Sequence, residues 1–146
     1  MARTGFAVAV KPPWREIPCK ETEPVNFIAN VKGAKGRALV TFGLCAAVED
    51  DAKYDVLEKK IESLSKTFTK YELIEKAGIT RDGMLGFKIT FYRDLTKAKH
   101  KCQSLMYVKG DKAFQIMSCA RADEYDLYVA AIDQIINSFI IIPDKK

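Results

Sequence analysis

Apolar residues recur at steps of three and four over residues 52–69, which is the spacing of one face of an amphipathic helix. The stripe consists of Tyr54, Leu57, Ile61, Leu64 and Phe68. Acidic residues precede the segment and lysines lie near its end, an arrangement that the helix dipole favours. We therefore predict a helix whose apolar face packs against a sheet and does not form a cofactor site.

A second helical pattern lies in the C-terminal part of the chain. Asp123 is placed to cap a helix that runs to about Asn137. The apolar positions of this helix form one broad face: Leu127, Tyr128, Ala131, Ile132, Ile135 and Ile136. Residues 139–142 are expected to follow as an extended apolar tail.

Alternating apolar and polar positions predict strands elsewhere in the chain. The predicted strands cover residues 6–10, 26–31, 37–48, 71–80, 84–92, 99–109 and 112–120. Within the fifth of them, Phe87, Ile89 and Phe91 alternate with polar residues, as a pleated strand requires. In residues 37–48 both alternating sets are mostly nonpolar, which indicates a strand that is covered on both faces.

The order of these elements is strands, one helix, several consecutive strands and a second helix. That order favours an antiparallel sheet over parallel βαβ units. The length of 146 residues matches one domain, and no internal repeat, low-complexity tract or linker divides the chain. We predict a single α+β domain over residues 1–146, in which an antiparallel sheet is flanked by two main helices.

The charge balance changes this picture little. The chain has 24 Lys plus Arg against 19 Asp plus Glu, and its net charge of +5 favours solubility and only weak attraction to polyanions. No apolar run approaches the roughly 20 residues of a membrane-spanning helix. The N-terminus does not resemble a signal peptide, so we expect a cytoplasmic protein, or an extracytoplasmic one if a signal was removed.

The chain lacks the patterns of common catalytic and cofactor sites. It contains no phosphate-binding loop of recognised spacing, no nucleophile elbow and no zinc-protease motif. Its one histidine, His100, lies among lysines that would repel a metal ion and disfavour the protonated ring. We predict an exposed histidine at a strand end, and a protein that is not an enzyme and uses no cofactor or metal.

The four cysteines lack the spacing of zinc or redox motifs. Gly110 and Asp111 predict a two-residue hairpin turn, which sets the register of the strands on either side. This register places Cys102 opposite Cys119 at a non-hydrogen-bonded site, where Cα atoms approach to about 4.5 Å. A disulfide could form there. We favour the alternative of two reduced, buried thiols that act as small apolar side chains.

A lysine-rich strand is one candidate surface for binding a partner. Lys97, Lys99 and Lys101 project to one face, and Arg93 and His100 lie near the same hairpin. Such a patch could receive a phosphate or an acidic partner. Alternating lysines also keep the edges of sheets from pairing with other chains, and we favour this second interpretation.

Trp14, which follows Pro12 and Pro13, is the other candidate for partner binding. An aromatic residue in this position is either a lid over one end of the core or an exposed recognition residue. We favour the lid. The candidate partner-binding residues are therefore Trp14, Arg93, Lys97, Lys99, His100 and Lys101.

Several segments together resemble the PsbP-like fold group. They are residues 5–8 leading to Pro13-Trp14, the helix at 52–69, the strand at 86–92, residues 103–108 before Gly110, and the strand at 113–116 with the helix ending at 135–139. The group includes the PsbP subunit of photosystem II, a Ran-binding nuclear transport factor, DcrB-like bacterial lipoproteins and chaperones for type VI secretion effectors. The resemblance implies an α/β/α sandwich without enzymatic activity, and it assigns no functional residue.

Three functional hypotheses follow. The first is a non-catalytic accessory domain that binds another protein through a sheet face or the end near Trp14. The second is a cytoplasmic chaperone that shields apolar helices of a secreted client, as a dimer, and an apolar sheet face open to solvent would support it. The third is a weak binder of anions or nucleic acid through the lysine-rich strand.

Overall fold

An antiparallel sheet with one helix packed on it makes up most of the structure, which is a computed structural model. The structure describes residues 2–3, 6–19, 24–45, 66, 70–81, 83–95, 97–109 and 112–141. Its strands are β1 (Ala2–Arg3), β2 (Phe6–Ala7), β3 (Trp14–Ile17), β4 (Val25–Ala29), β5 (Ala38–Cys45), β6 (Glu72–Arg81), β7 (Met84–Leu95), β8 (Ala98–Lys109), β9 (Lys112–Arg121) and β10 (Ile140–Ile141). The helix α1 (Tyr125–Asn137) lies between β9 and β10. Among these residues the fold is therefore α+β, with one main helix.

Seven strands form the main sheet in the order β3–β4–β5–β9–β8–β7–β6. The four long strands β6 to β9 pair consecutively and antiparallel, as their alternating sequences predict. β9 then pairs with β5, which joins this run to the N-terminal strands. The edges of the sheet among the described residues are the short β3 and the long β6.

Cys102 and Cys119 are joined by a disulfide between β8 and β9. Their Cα atoms lie 4.2 Å apart, the close approach typical of a non-hydrogen-bonded cross-strand pair. The predicted hairpin register is thus confirmed, with Lys109 opposite Lys112 as well, while the turn residues themselves lie outside the described residues. The structure contains the disulfide, not the two reduced thiols that the sequence led us to favour.

The helix α1 packs on one face of the sheet, which we call the helix face. Its buried side chains include Tyr128, Ile132 and Ile135, which recur at helical spacing as the sequence predicts. They meet apolar side chains of the central strands: Phe27, Val40, Phe42, Phe114 and Ile116. This layer is the principal core of the described structure.

The C-terminal tail returns to the N-terminus. β10 pairs with β2, which confirms the extended conformation predicted after the second helix, although only Ile140–Ile141 is paired. The ring of Phe139 lies 5.6 Å from the rings of both Phe6 and Phe42, measured between centroids. These aromatic contacts fix the small sheet β1–β2–β10 to the core.

The opposite side of the sheet, which we call the second face, is also covered at its centre. Ile89 and Phe91 of β7 and Met106 of β8 point to this face and are at most 1% exposed. The helix predicted over residues 52–69 lies outside the described residues, apart from Lys66, which is helical. The prediction that the strand over residues 37–48 is covered on both faces is wrong for the described part of β5, because its buried side chains lie on the helix face and those of the second face are only half-buried.

The start of α1 differs from the prediction. Asp123 does not cap the helix, because its carboxylate binds the guanidinium of Arg121 at 3.0–3.1 Å. Glu124 occupies the N-cap position, and its buried carboxylate accepts hydrogen bonds from the backbone N–H groups of Lys35 (2.5 Å) and Gly36 (2.8 Å). Glu124 thus holds the turn between β4 and β5 against the helix.

This arrangement predicts a pH dependence of stability. The backbone N–H of Lys35 and then that of Gly36 lower the pKa of Glu124 below its ordinary value. In the unfolded chain the pKa of a glutamate is about 4.3. Because the pKa of Glu124 is lower in the folded state, its carboxylate stabilises the fold above that pH, and this contribution is lost as the pH falls through the folded-state pKa. We expect the free energy of unfolding of the wild type to fall more steeply between about pH 5 and 3 than that of Glu124→Gln.

Urea unfolding at a series of pH values measures this slope. Asp126→Asn is a suitable control, because Asp126 is exposed in the first turn of α1 and contacts neither backbone N–H group. Identical pH slopes for the wild type and Glu124→Gln would contradict the assigned role.

Candidate functional site

Trp14, the first of the sequence-predicted binding residues, is buried. It belongs to the core on the helix face and is 5% exposed. Its indole Nε1 donates a hydrogen bond of 2.8 Å to the backbone oxygen of Ala131 in α1. Trp14 therefore fastens the edge strand β3, which the sequence did not predict, to the helix. This burial agrees with the lid that we favoured over an exposed recognition residue.

Arg93 and His100 lie directly opposite each other on β7 and β8 and point to the second face. His100 is 7% exposed, so the prediction of an exposed histidine is wrong. The reason is the alternation along β8, which sends His100 to the face opposite that of Lys99 and Lys101. Burial also lowers the pKa of the Arg93 guanidinium.

The lysines of the predicted patch lie in different surroundings. Lys97 is exposed in the turn between β7 and β8, where its φ is +63°. The ammonium groups of Lys99 and Lys101 lie over the rings of Tyr92 (4.1 Å) and Tyr125 (4.9 Å) on the helix face. Because β8 is an interior strand, these lysines do not protect a sheet edge.

The six predicted residues therefore do not form one site. Trp14 lies on the edge strand β3, four strands away from β8 in the sheet order. Arg93 and His100 point to one face, and Lys99 and Lys101 point to the other. Asp94 lies directly opposite Lys99 and reduces the positive charge at that end of the sheet.

The structure instead presents a groove on the helix face. Because α1 packs over β9, it leaves this face of β6, β7 and part of β8 uncovered. The groove runs between the C-terminal half of α1 and these strands, and its volume is about 550 Å³. Volumes of about 300–1,000 Å³ are typical of ligand sites. Its lining residues are Ile79, Thr80, Arg81, Lys88, Gln103, Leu105, Tyr107, Asp133, Ile136, Asn137, Phe139 and Ile140.

Arg81 builds one end of the groove. Its Nη2 donates hydrogen bonds to the backbone oxygens of Ile136 (2.8 Å) and Phe139 (2.7 Å), at the C-terminal end of α1. A cation placed there also interacts favourably with the helix dipole. The guanidinium carbon lies 5.4 Å from the centre of the Phe139 ring. Arg81 thus joins β6 to the helix and fixes the wall of the groove.

Apolar side chains of β6 and β8 form one part of the groove floor. Ile79, Gly86 and Tyr107 lie side by side on β6, β7 and β8. Gly86 is required there, because a Cβ atom would collide with the backbone oxygen of Met106 and touch the ring of Tyr107. Leu105 and Tyr107 are nearly buried, so the floor is firmly packed.

Lys88 and Gln103 form the polar end of the groove. Lys88 pairs with Leu105 and Gln103 pairs with Thr90, so the two side chains are diagonal neighbours on one face. Both are half-buried. Within the described part of the chain, neither side chain has a hydrogen-bond or ion-pair partner. Asp133 lies on the helix side of this end and is exposed.

The chemistry of the groove is that of a binding site. Its walls offer apolar side chains, an ammonium group and two amides, which can position a ligand by burial and hydrogen bonding. Among the residues that the structure describes, no group of three or more His, Cys, Asp and Glu could hold a metal ion. In the same residues, no helix has the length and apolar character needed to cross a membrane.

Sequence reasoning missed this site, although one signal pointed to it. Lys88, Thr90 and Tyr92 make one face of β7 polar, while Phe87 and Ile89 belong to its apolar face. A polar face on an interior strand marks a surface that no helix covers. The sequence pattern did not show that β7 is interior or where α1 lies across the sheet.

Comparisons with known proteins give similarity of fold alone. No protein-family model and no curated protein matches the chain. LpqN of Mycobacterium tuberculosis, described as involved in cell envelope biogenesis, has a similar structure at a TM-score of 0.70. The sequences are 16% identical, and the match covers 94% of this chain and 83% of LpqN.

Two further solved structures have the same architecture. Cyanobacterial PsbP (CyanoP) from Synechocystis sp. PCC 6803 matches with a TM-score of 0.62 and 14% identity, over 94% of this chain and 87% of that one. The Ran-binding protein Mog1p of Saccharomyces cerevisiae matches with a TM-score of 0.63 and 10% identity, over 94% of this chain and 90% of that one. These three likenesses confirm the fold that the resemblance in the sequence implied: the chain has a PsbP-like fold.

Proposed function

We propose that this protein is a non-catalytic accessory domain that binds a segment of another protein in the groove beside α1. The observation that carries the proposal is the groove itself, an open volume of about 550 Å³ with packed apolar side chains and with half-buried polar groups that have no partner among the residues the structure describes. Polar groups in such positions gain hydrogen bonds when a ligand replaces water.

Proteins of similar fold support the proposed binding function. Mog1p is named a Ran-binding protein, so one protein with this architecture has a protein partner. LpqN is described as involved in cell envelope biogenesis, and CyanoP is a PsbP protein. A binding role, with the partner set by local side chains, is consistent with a fold that carries different functions in different proteins.

We further propose that residues 1–146 form a single domain and that the helix predicted over residues 52–69 supplies a second helical layer of an α/β/α sandwich. The burial of Ile89, Phe91 and Met106 on the second face supports this arrangement. The same burial argues against the chaperone hypothesis, which needs a broad apolar sheet face that is open to solvent.

The third hypothesis, an anion or nucleic-acid binder, is the weakest. Lys99 and Lys101 lie on tyrosine rings, and Asp94 faces Lys99 across the strands. Binding to nucleic acid rests on several phosphate contacts along a continuous basic surface. The described side chains of β8 do not form a continuous basic surface of this kind.

Position-specific photo-crosslinking tests the proposed function. A photoreactive amino acid would replace Asn137 or Ile140, both exposed and both lining the groove. Leu127 and Val129 serve as matched controls, because they are exposed on α1 outside the groove. We expect one and the same crosslinked protein from both groove positions and none from the controls, in cells that express the chain natively. Equal crosslinking from all four positions, or none from the groove, would contradict the proposal.

A further inference from the structure

We propose that the groove recognises an extended peptide segment in which an apolar residue is followed two positions later by an acidic residue. The inference rests on the proposed function and specifies the partner's chemistry. It follows from three features of the groove: an apolar end, a cation that has no ion-pair partner in the described part of the chain, and the distance between them.

The apolar end is formed by Ile79 and Tyr107, which lie on either side of Gly86, and it is bounded by Ile136 and Phe139 on the helix side. Gly86 is buried between Ile79 and Tyr107, where the backbone of β8 and the Tyr107 ring leave no room for a side chain, so a ligand side chain would contact the half-buried Ile79 and not Gly86. An apolar group placed there removes apolar surface from water on both partners, which stabilises the complex.

The polar end is set by Lys88. Lys88 is half-buried and has no ion-pair partner in the described structure, where the Gln103 amide beside it is also unpaired. A carboxylate accepts charge-assisted hydrogen bonds from an ammonium group and further bonds from an amide N–H. Asp133 would repel the carboxylate, but it is exposed and forms no ion pair with Lys88, so water screens its charge.

The spacing follows from the strand. Ile79 and Tyr107 lie opposite Gly86, which is two residues from Lys88 on β7, so the apolar side chains and Lys88 are about 6.6 Å apart along the strands. Two residues is also the period at which side chains of an extended peptide point to the same side. A peptide lying along β7 therefore presents its apolar and acidic side chains to the two ends of the groove when they are at positions i and i+2.

The acidic group is assigned to a side chain and not to the end of a chain. The groove is open along its length, while Arg81 and Phe139 close only one wall. A segment in the middle of a polypeptide can then lie across the sheet without a terminus at Lys88.

Titrations monitored by amide NMR test this inference with the full chain. The probe is the capped peptide acetyl-Gly-Leu-Ser-Glu-Gly-amide. Three comparison peptides carry Lys in place of Glu, the order Leu-Glu-Ser, or a Leu-Ser-Gln core with a free terminal carboxylate. We expect shifts at the groove residues and affinity about tenfold higher for the probe than for each comparison peptide.

Variants of the protein complete the test. Lys88→Glu is expected to reverse the preference between the Glu and Lys peptides, and Lys88→Gln to remove it. Lys99→Glu makes the same charge change on the same face outside the groove, and is expected to behave as the wild type. Circular dichroism verifies that each variant is folded.

The outcomes separate the inference from the proposed function. Equal binding of the Glu and Lys peptides in the groove overturns the acidic specificity, and tighter binding of the free carboxylate assigns the site to chain termini instead. No groove shifts with any peptide at about 5 mM overturns the inference as a whole. The crosslinking from Asn137 and Ile140 tests the proposed function independently of these results.

Discussion

Replacing Trp14 with alanine is expected to lower the free energy of unfolding by about 3–5 kcal/mol, the range measured for truncating a buried aromatic side chain. The indole is 5% exposed and packs in the core between the edge strand β3 and α1. Its removal leaves a cavity and deprives the Ala131 oxygen of a hydrogen bond. Urea or thermal unfolding measures the loss.

Two further variants separate the contributions. Trp14→Phe retains most of the apolar volume and loses the hydrogen bond to Ala131, so a smaller loss of about 1–2 kcal/mol is expected. Ile17→Ala, at an exposed position of the same strand, is expected to change stability by less than about 1 kcal/mol. A Trp14→Ala variant as stable as the wild type would show that Trp14 is not a core residue and would restore its candidacy for partner binding.

The disulfide between β8 and β9 has the second large expected effect. Replacing both Cys102 and Cys119 with alanine is expected to lower the free energy of unfolding by about 3 kcal/mol, since the bond closes a loop of 17 residues in the unfolded chain. Part of the loss comes from the buried sulfur atoms that the substitution removes. Unfolding of the oxidised wild type and of the double variant gives the difference.

Counting thiols tests the bond directly. The chain has four cysteines, so two reactive thiols are expected in denatured protein without reductant and four after reduction. Cys19→Ala provides a control, because Cys19 is a half-buried cysteine outside the disulfide and its loss reduces each count by one. Four thiols before reduction would establish the reduced pair that the sequence analysis favoured.

The polar groups of the groove, Lys88 and Gln103, lie apart from the two features with the largest expected effects on stability. Trp14 and the disulfide act in the core, whereas the groove uses a part of the helix face that α1 leaves open. Lys88 and Gln103 can therefore be changed without removing core packing. A protein built in this way can change its partner through a few side chains while the sheet and helix remain the same.

Local patterns in the sequence were sufficient for most of the secondary structure. The strands from β6 to β9 and the helix α1 have strong periodicities of two and of about 3.6 residues, and their bounds agree with the predictions to within a few residues. The two-residue turn set the β8–β9 register, so the Cys102–Cys119 neighbours could also be deduced. Periodicity and turn length are local properties, so they can be recognised directly in the sequence.

Only the tertiary structure determined the features that depend on contacts between different helices and strands. The sequence could not show that Trp14 faces α1, that His100 is buried or that the lysines of β8 lie in an interior strand. It also gave no sign that Glu124, and not Asp123, would hold the β4–β5 turn. Burial and hydrogen bonding between distant segments depend on how the segments pack, and the alternation of residues along one strand does not predict that packing.

The same limit applies to the candidate site and to the helix-flanked sheet predicted at the outset. The sequence alone determined that Lys88 lies on a polar strand face and that the fold is PsbP-like. Only the structure showed that α1 covers β9 and leaves that polar face open beside its C-terminal end. A groove is the space that two packed elements fail to fill, so it exists only once their relative positions are set.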